Sequence, residues 1–265
     1  MATAVPNLST GWRHRPVPVH THTEVLGLSL VSGALLLLLA AGLASGMPLS
    51  DGMFLVPFIL ATAVGAALSY RFGTWGRAAG LLLGVGAVVM TFFFIFGIFE
   101  PASFVEFTGG TAYTLGVLLT LYGGVASLVR RNDVRAETPR SERLLDRTAL
   151  AIVVLAFAVS LPLWLANRTT VDASAAAGLQ EVTAVNFVFE DVTAAAGSSI
   201  VLRNQDPFMH TFTVDALGID VKLLPGDATI VQLPDTVGTY TYYCIPHSFE
   251  AGEGADDMAA TLTIE

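Results

Sequence analysis

The sequence predicts a multi-span α-helical membrane domain with five transmembrane helices, followed by an all-β Greek-key sandwich. Hydrophobic residues make up 53% of the 265 residues against 13% charged, and the mean hydropathy of +0.65 is typical of membrane proteins. Long apolar runs precede residue 167, whereas short β-branched and aromatic segments follow residue 181. The charge changes at the same place, because residues 172–265 hold 14 acidic and 2 basic residues.

These changes divide the chain into four predicted parts. We expect a cytoplasmic N-terminal tail (1–24), a five-helix membrane domain (25–166), a linker (167–180) and an extracytoplasmic β domain (181–265). Because the β domain is strongly acidic, it should repel nucleic acid and anionic lipid surfaces. No nucleic-acid partner is expected.

Five runs without a charged residue have the length needed to cross the hydrocarbon core of a bilayer as a helix. They are residues 25–43, 53–70, 78–99, 111–129 and 148–166. The first run is too long for the apolar region of a signal peptide, and four more follow it. The sequence therefore predicts a multi-pass protein embedded in membrane lipid.

The arginines predict how these helices are oriented. They cluster before the first run, between the second and third, and between the fourth and fifth, whereas the alternate loops carry only Asp51, Glu100 and Glu106 as charged residues. By the positive-inside bias, the N-terminus is cytoplasmic and the β domain lies outside, on a prokaryotic cell membrane. Glu100 and Glu106 are expected in a solvated loop, and contact with the β domain is the alternative.

The apolar runs contain no ionisable residue, so we expect the helices to serve as an anchor or docking element. The lack of histidine in the runs excludes a b-type haem held between two of these helices. A quinone or lipid pocket lined by Phe92, Phe93, Phe94 and Phe96 is the alternative. His20 and His22 precede the first run, where a cytoplasmic metal site is a weaker alternative to an ordinary tail.

The β domain is predicted from short, partly alternating segments separated by Gly, Pro, Asp and Asn. The segments are residues 182–189, 199–203, 210–214, 229–233, 238–243 and 259–264. Two of the connecting regions carry the two histidines of this domain and the chain's single cysteine, Cys244. A lone thiol outside a membrane is either buried and inert or occupied by a ligand.

Two motifs in this domain resemble a known family. Asn204 precedes His210 in a turn, and a Gly-x-Tyr-x-Tyr-x-Cys-x-x-His pattern from Gly238 leads to Cys244 and His247. The domain resembles the cupredoxins of the plastocyanin, halocyanin and amicyanin type over residues 181–265. The resemblance implies a cupredoxin-like sandwich and one type 1 (blue) copper ion held by His210, Cys244 and His247, with Met258 opening the last strand as the axial ligand.

These residue types suit copper that changes between two oxidation states, because a thiolate stabilises Cu(I), imidazoles suit both states and an axial thioether tunes the potential. Zinc is the competing metal, although its structural sites favour several cysteines. Ten residues separate His247 from Met258, more than the family usually has. Glu250, Glu253 or a backbone oxygen is therefore the alternative axial ligand.

We therefore expect an electron carrier, free-standing or part of a respiratory assembly, and not an enzyme. Multicopper oxidases need His-x-His pairs, and the β domain has none. The dinuclear purple copper site needs two cysteines, and the chain has one. The alternatives are copper storage or delivery, and a structural subunit of a membrane complex. The expected partner is a redox protein such as a c-type cytochrome, a copper protein or a terminal oxidase, which would contact an apolar patch of Pro207, Phe208, Pro246 and Phe249 beside an acidic loop.

Overall fold

The computed structural model describes residues 20–44, 49–130, 139–248 and 258–265. Its helical part precedes a β domain. The helices are α1 (Thr21–Ala44), α2 (Leu49–Gly52), α3 (Leu55–Arg71), α4 (Gly73–Ile95), α5 (Phe104–Val129), α6 (Arg140–Asn167) and α7 (Ala173–Ala176), with a 3-10 turn at Phe96–Phe99.

Each of the five predicted spans overlaps one of the apolar helices over most of its length, so the helical domain is confirmed. Among the described residues, α1, α4, α5 and α6 are long and apolar enough to cross a membrane. The fifth apolar helix, α3, has 17 residues and is at the short end of the range for a span. This composition is consistent with a membrane anchor.

Glycines allow α1 and α5 to pack closely. A Cβ atom on Gly27 would lie 2.4 Å from the backbone nitrogen of Thr120, and one on Gly123 would lie 2.4 Å from the nitrogen of Glu24. Small residues of this kind let helix backbones approach each other in apolar surroundings. Leu28 and Val31 on α1 are about 1% exposed as a result.

At one end of the bundle, ionisable side chains that lie just outside the uncharged runs are buried. The helices continue beyond the uncharged runs, and the added turns bury His20, Glu24, Arg77 and Glu142. His20 forms an ion pair with Glu142. Glu24 accepts a hydrogen bond from Ser69 Oγ at 3.1 Å, and Arg77 Nη1 donates to a backbone carbonyl of α5 at 3.0 Å. Glu24 and Arg77 therefore have hydrogen-bond partners at their buried positions, as buried polar groups usually do.

Phe94, one of the four phenylalanines of the alternative quinone or lipid pocket, packs inside the bundle. Phe94 is buried and stacks on Tyr113 with the ring centroids 4.2 Å apart, so this residue has a packing role. The side chains of Phe92, Phe93 and Phe96 lie outside the described residues.

The β domain has two sheets, so the predicted sandwich is confirmed. A three-stranded sheet has the order β1-β3-β6, and a five-stranded sheet has the order β2-β8-β7-β4-β5. The strands are β1 (Gln180–Ala184), β2 (Val192–Ala194), β3 (Ser199–Asn204), β4 (His210–Val214), β5 (Ile219–Leu223), β6 (Ala228–Gln232), β7 (Gly238–Tyr243) and β8 (Ala259–Ile264). The core between the sheets includes Phe212, Tyr242 and Leu262, all with no solvent exposure.

Sequence reasoning missed β2 and β5, and it extended β1 too far. The chain leaves β1 after Ala184, because Asn186 and Phe187 adopt left-handed backbone conformations with φ of 54° and 60°. Both missed strands are edges of the five-stranded sheet.

The β domain is docked on the bundle at the end opposite the buried polar cluster. Trp164 Nε1 of α6 donates to Pro225 O at 3.0 Å, and Thr169 O accepts from Ala228 N at 3.0 Å. Lys222 Nζ pairs with Glu100 Oε2 at 2.5 Å. Glu100 therefore contacts the β domain at the surface, which was the alternative to a loop without such a contact.

Candidate metal centre

Two neighbouring strands of the five-stranded sheet position the predicted ligands. His210 is the first residue of β4, and Cys244 directly follows β7. His247 ends a short 3-10 turn, Ile245–His247, in which its backbone N–H donates to Cys244 O at 3.2 Å. The tight turn after β7 therefore brings the second imidazole back to the sulfur.

The three predicted donor atoms converge. His210 Nδ1 lies 3.0 Å from His247 Nδ1, and Cys244 Sγ lies 3.5 Å from the first and 3.3 Å from the second. A point at the centre of such a triangle is about 2 Å from each corner, close to the distances at which nitrogen and sulfur bind first-row metals. Among the described residues, this is the one group of His, Cys, Asp and Glu side chains close enough together to hold a metal ion.

Burial keeps Cys244 and His247 neutral. Cys244 has no solvent exposure, and burial raises the pKa of its thiol to about 11. Burial, together with the neighbouring His210, lowers the pKa of His247 to about 3. Thr211 N donates to Cys244 Sγ at 3.3 Å, and Thr211 Oγ1 accepts from Ile245 N at 2.9 Å. Thr211 therefore holds both the sulfur and the following turn.

Met258 lies next to this group through the backbone. Its carbonyl accepts hydrogen bonds from Cys244 N at 2.9 Å and from Ser248 Oγ at 3.1 Å, and its side chain is 1% exposed in the same core as Cys244. The alternative ligands Glu250 and Glu253 lie outside the described residues. The axial role of Met258 stays a prediction.

Asp206 contacts the predicted ligand His210, and this contact was not predicted from the sequence. Asp206 is 2% exposed, and its Oδ2 lies 2.8 Å from His210 Nε2. Although burial alone would raise the pKa of Asp206, the hydrogen bonds from His210 and from the backbone of Phe187 and Asn186 lower it below its ordinary value.

Asn204 stabilises the loop that contains Asp206 and His210 through side-chain hydrogen bonds. Its Nδ2 donates to Phe208 O at 2.7 Å and to Leu223 O at 3.0 Å, and its Oδ1 accepts from Asp206 N at 2.9 Å. The Asn-containing turn noted in the sequence thus ties the loop to the end of β5.

The helical domain reaches this loop through Glu106. Glu106 belongs to the first turn of α5, and its Oε2 accepts from Met209 N at 2.7 Å. The predicted solvated position of Glu106 is therefore wrong. The contact could not be predicted from the sequence, because its partner, Met209, lies 103 positions away in the chain.

The predicted apolar contact patch is divided between two surroundings. Phe208 packs against the core of the helical bundle, and Pro207 is buried. Pro246 is exposed, and so is the adjacent Ile245. Phe249 and the acidic loop at residues 249–257 lie outside the described residues. Among the described residues of the predicted patch, Pro246 is the exposed one, and it lies beside the half-buried His247.

Comparison with known proteins shows that part of the chain is similar to a known domain family. Residues 150–253 match the cupredoxin-like domain family. No curated protein matches the chain. An oxidised amicyanin mutant is 19% identical over 37% of this chain and 92% of its own, with a TM-score of 0.30.

Two further solved structures are similar at comparable levels. A purple cupredoxin from Nitrosopumilus maritimus is 16% identical over 32% of this chain and 99% of its own, with a TM-score of 0.24. A chain of a heme-copper terminal oxidase dimer is 20% identical over 48% of this chain and 100% of its own, with a TM-score of 0.26. From the family match, we conclude that the chain carries a cupredoxin-like domain, preceded by apolar helices consistent with a membrane anchor.

Proposed function

We propose that the chain is a membrane-anchored type 1 copper protein that carries single electrons on the outer face of a prokaryotic cell membrane. The observation that carries the proposal is the convergence of His210 Nδ1, His247 Nδ1 and Cys244 Sγ within 3.0–3.5 Å of one another. Two imidazoles and one thiolate form the ligand set of blue copper sites. A bound copper ion would supply a one-electron couple between Cu(I) and Cu(II).

The protein's own residues would keep the site rigid and dry. His210 and Cys244 have no solvent exposure, and Thr211 and Asn204 hold the segments that carry them through hydrogen bonds of 2.7–3.3 Å. Met258 is our proposed axial ligand, because it is buried beside Cys244. Donors that stay in place on electron transfer make the exchange fast, as a carrier requires.

The exposed side of His247 is our proposed site of electron exchange. Ile245 is 52% exposed and Phe187 is 41% exposed, and the Phe187 ring lies edge-on to His247 with the centroids 4.8 Å apart. A small apolar surface around a half-buried ligand suits a partner that docks briefly, such as a c-type cytochrome, another copper protein or a terminal oxidase. The protein would then be a carrier and not an enzyme.

The arginine distribution supports placing the β domain outside. Apart from Arg168, the arginines of the helical part that the structure describes lie at the helix ends away from this domain, as the positive-inside bias expects for a cytoplasmic surface. The docked β domain lies at the other end of the bundle.

A redox titration of the full-length protein in detergent tests this proposal against copper delivery. We expect one reversible one-electron couple, with copper that a chelator removes slowly. His247→Ala should abolish the couple, whereas His22→Ala, which changes a histidine away from the cluster, should leave it intact. Copper that binds without a reversible couple and passes readily to the chelator would instead identify a delivery protein.

A further inference from the structure

Asp206 occupies an unusual position behind the ligand His210. Its Oδ2 lies 2.8 Å from His210 Nε2 and also accepts from Phe187 N at 3.0 Å, while its Oδ1 accepts from Asn186 N at 2.7 Å. Its own backbone N–H donates to Asn204 Oδ1 at 2.9 Å. A carboxylate that accepts this many hydrogen bonds is held in one place in its ionised form.

This contact decides which nitrogen of His210 carries a proton. An ionised carboxylate only accepts hydrogen bonds, so His210 Nε2 must carry hydrogen. In a neutral imidazole the lone pair is then on Nδ1, which is the atom that faces Cys244 Sγ at 3.5 Å and His247 Nδ1 at 3.0 Å. Hydrogen-bonded partners behind a ligating histidine fix its tautomer and ring orientation in this way.

The same carboxylate also arranges a second aromatic ring. Asn186 and Phe187 have φ of 54° and 60°, a backbone conformation that residues other than glycine rarely adopt. The backbone N–H groups of both residues donate hydrogen bonds to the Asp206 carboxylate. This turn places the Phe187 ring edge-on to both histidines, with centroids 4.8 Å from His247 and 5.5 Å from His210. Asp206 therefore positions the His210 imidazole directly, through a hydrogen bond. It also positions the Phe187 ring, which contacts both imidazoles.

We propose that Asp206 is a positioning residue of the metal centre, which fixes His210 as the Nε2–H tautomer and places a negative charge behind this ligand. The part of this inference that concerns copper rests on the proposed function. A negative charge stabilises Cu(II) relative to Cu(I), so Asp206 lowers the midpoint potential. Loss of the charge raises it.

The tautomer is tested on the wild-type protein without metal. Full-length protein in detergent, labelled with ¹⁵N-histidine, gives a long-range ¹H–¹⁵N spectrum in which the tautomer of each of the five histidines is read directly. We expect His210 to carry hydrogen on Nε2 and not on Nδ1, with the signal assigned by its loss in His210→Gln. The reverse tautomer would overturn the proposal. This measurement does not depend on copper or on the folding of an Asp206 variant.

The charge is tested with Asp206→Asn and a matched control, Asp227→Asn. Asp227 is a second buried aspartate of the β domain, 3% exposed, and it accepts from Leu224 N at 2.8 Å and Thr169 N at 2.9 Å without contacting the ligands. We expect Asp206→Asn to keep the visible absorption of a copper–thiolate site, to raise the midpoint potential and to lose copper to a chelator about tenfold faster. Asp227→Asn should leave all three unchanged.

Equal potentials in the wild type and Asp206→Asn would refute the role of the charge. If the wild type lacked the copper–thiolate absorption, the proposed function would fail, and the tautomer spectrum would still decide whether Asp206 positions His210.

Discussion

At the scale of single residues, the Cys244 thiol and the His247 imidazole of the cluster are both neutral at neutral pH before metal binds. The pKa of the buried Cys244 thiol is about 11, and that of His247 is about 3. At neutral pH a metal therefore has to displace a proton from Cys244 but none from His247. Metal binding that displaces a ligand proton depends on pH.

We predict that the affinity for Cu(I) rises with pH. Because the folded thiol stays protonated up to about pH 11, one proton leaves for each ion bound between about pH 8 and 10, and the association constant rises about tenfold per pH unit. Competition with a chelator of known affinity at several pH values measures this slope. A flat profile would mean that Cys244 is already ionised or is not a ligand.

Met258→Leu tests the axial position. Since leucine and methionine have similar volumes, the free energy of unfolding should fall by less than about 1.5 kcal/mol, although the side chain is 1% exposed. The midpoint potential and the visible spectrum should nevertheless change, because a thioether is lost from the site. If stability, potential and spectrum all match the wild type, Met258 is not the axial ligand.

The sequence predicted the ligand cluster and missed what supports it. His210, Cys244 and His247 belong to local motifs, and the structure brings them together. Asp206 and Glu106 act through hydrogen bonds whose geometry depends on the left-handed turn at Asn186 and on the docking of α5. No residue pattern encodes either arrangement.

At the scale of secondary-structure elements, the strands that carry the ligands were predicted best. The bounds of β4, β7 and β8 agree with the prediction, because their apolar and aromatic residues lie on strands with a buried face. The missed strands β2 and β5 are sheet edges. The alternation Ile-Asp-Val-Lys-Leu of β5 is a period-two signal that could have been found, and its Asp and Lys protect an exposed sheet edge.

The contact between α5 and the His210 loop leads to a prediction on Glu106. Glu106→Ala leaves Met209 N–H without its acceptor, at a cost of about 1–3 kcal/mol. The Met209 amide should then exchange hydrogen roughly ten- to a hundredfold faster, as measured by NMR or mass spectrometry. Glu106→Gln retains a carbonyl oxygen and should exchange at close to the wild-type rate. Unchanged exchange in both variants would show that Glu106 does not hold the loop.

At the scale of the whole molecule, the helices do more than hold the β domain at a membrane. Glu100, Trp164 and Arg168 of the helical part contact Lys222, Pro225 and Gly226 of the β domain. Phe208, two residues before a proposed ligand, packs on the bundle core. The sequence could predict two domains and a linker from composition. It could not predict that they dock, because the contacts are few and distant in the chain.

We predict that this docking weakens in a Trp164→Phe, Arg168→Ala double variant. The two changes remove the hydrogen bonds to Pro225 O and Gly226 O and the stacking of Arg168 on Trp164. The amide of Ala228, which donates to Thr169 O at 3.0 Å across the same contact, should exchange faster. Arg143→Ala, at the far end of α6, is the control that should have no effect. Equal exchange in all three proteins would argue against a docked domain.

The absorption spectrum of the oxidised, copper-loaded full-length protein tests the central claim most directly. If His210, Cys244 and His247 form a type 1 site, the protein shows an intense visible thiolate-to-copper band, and Cys244→Ser abolishes this band. Copper binding without a visible band, or a band that survives Cys244→Ser, would contradict the claim.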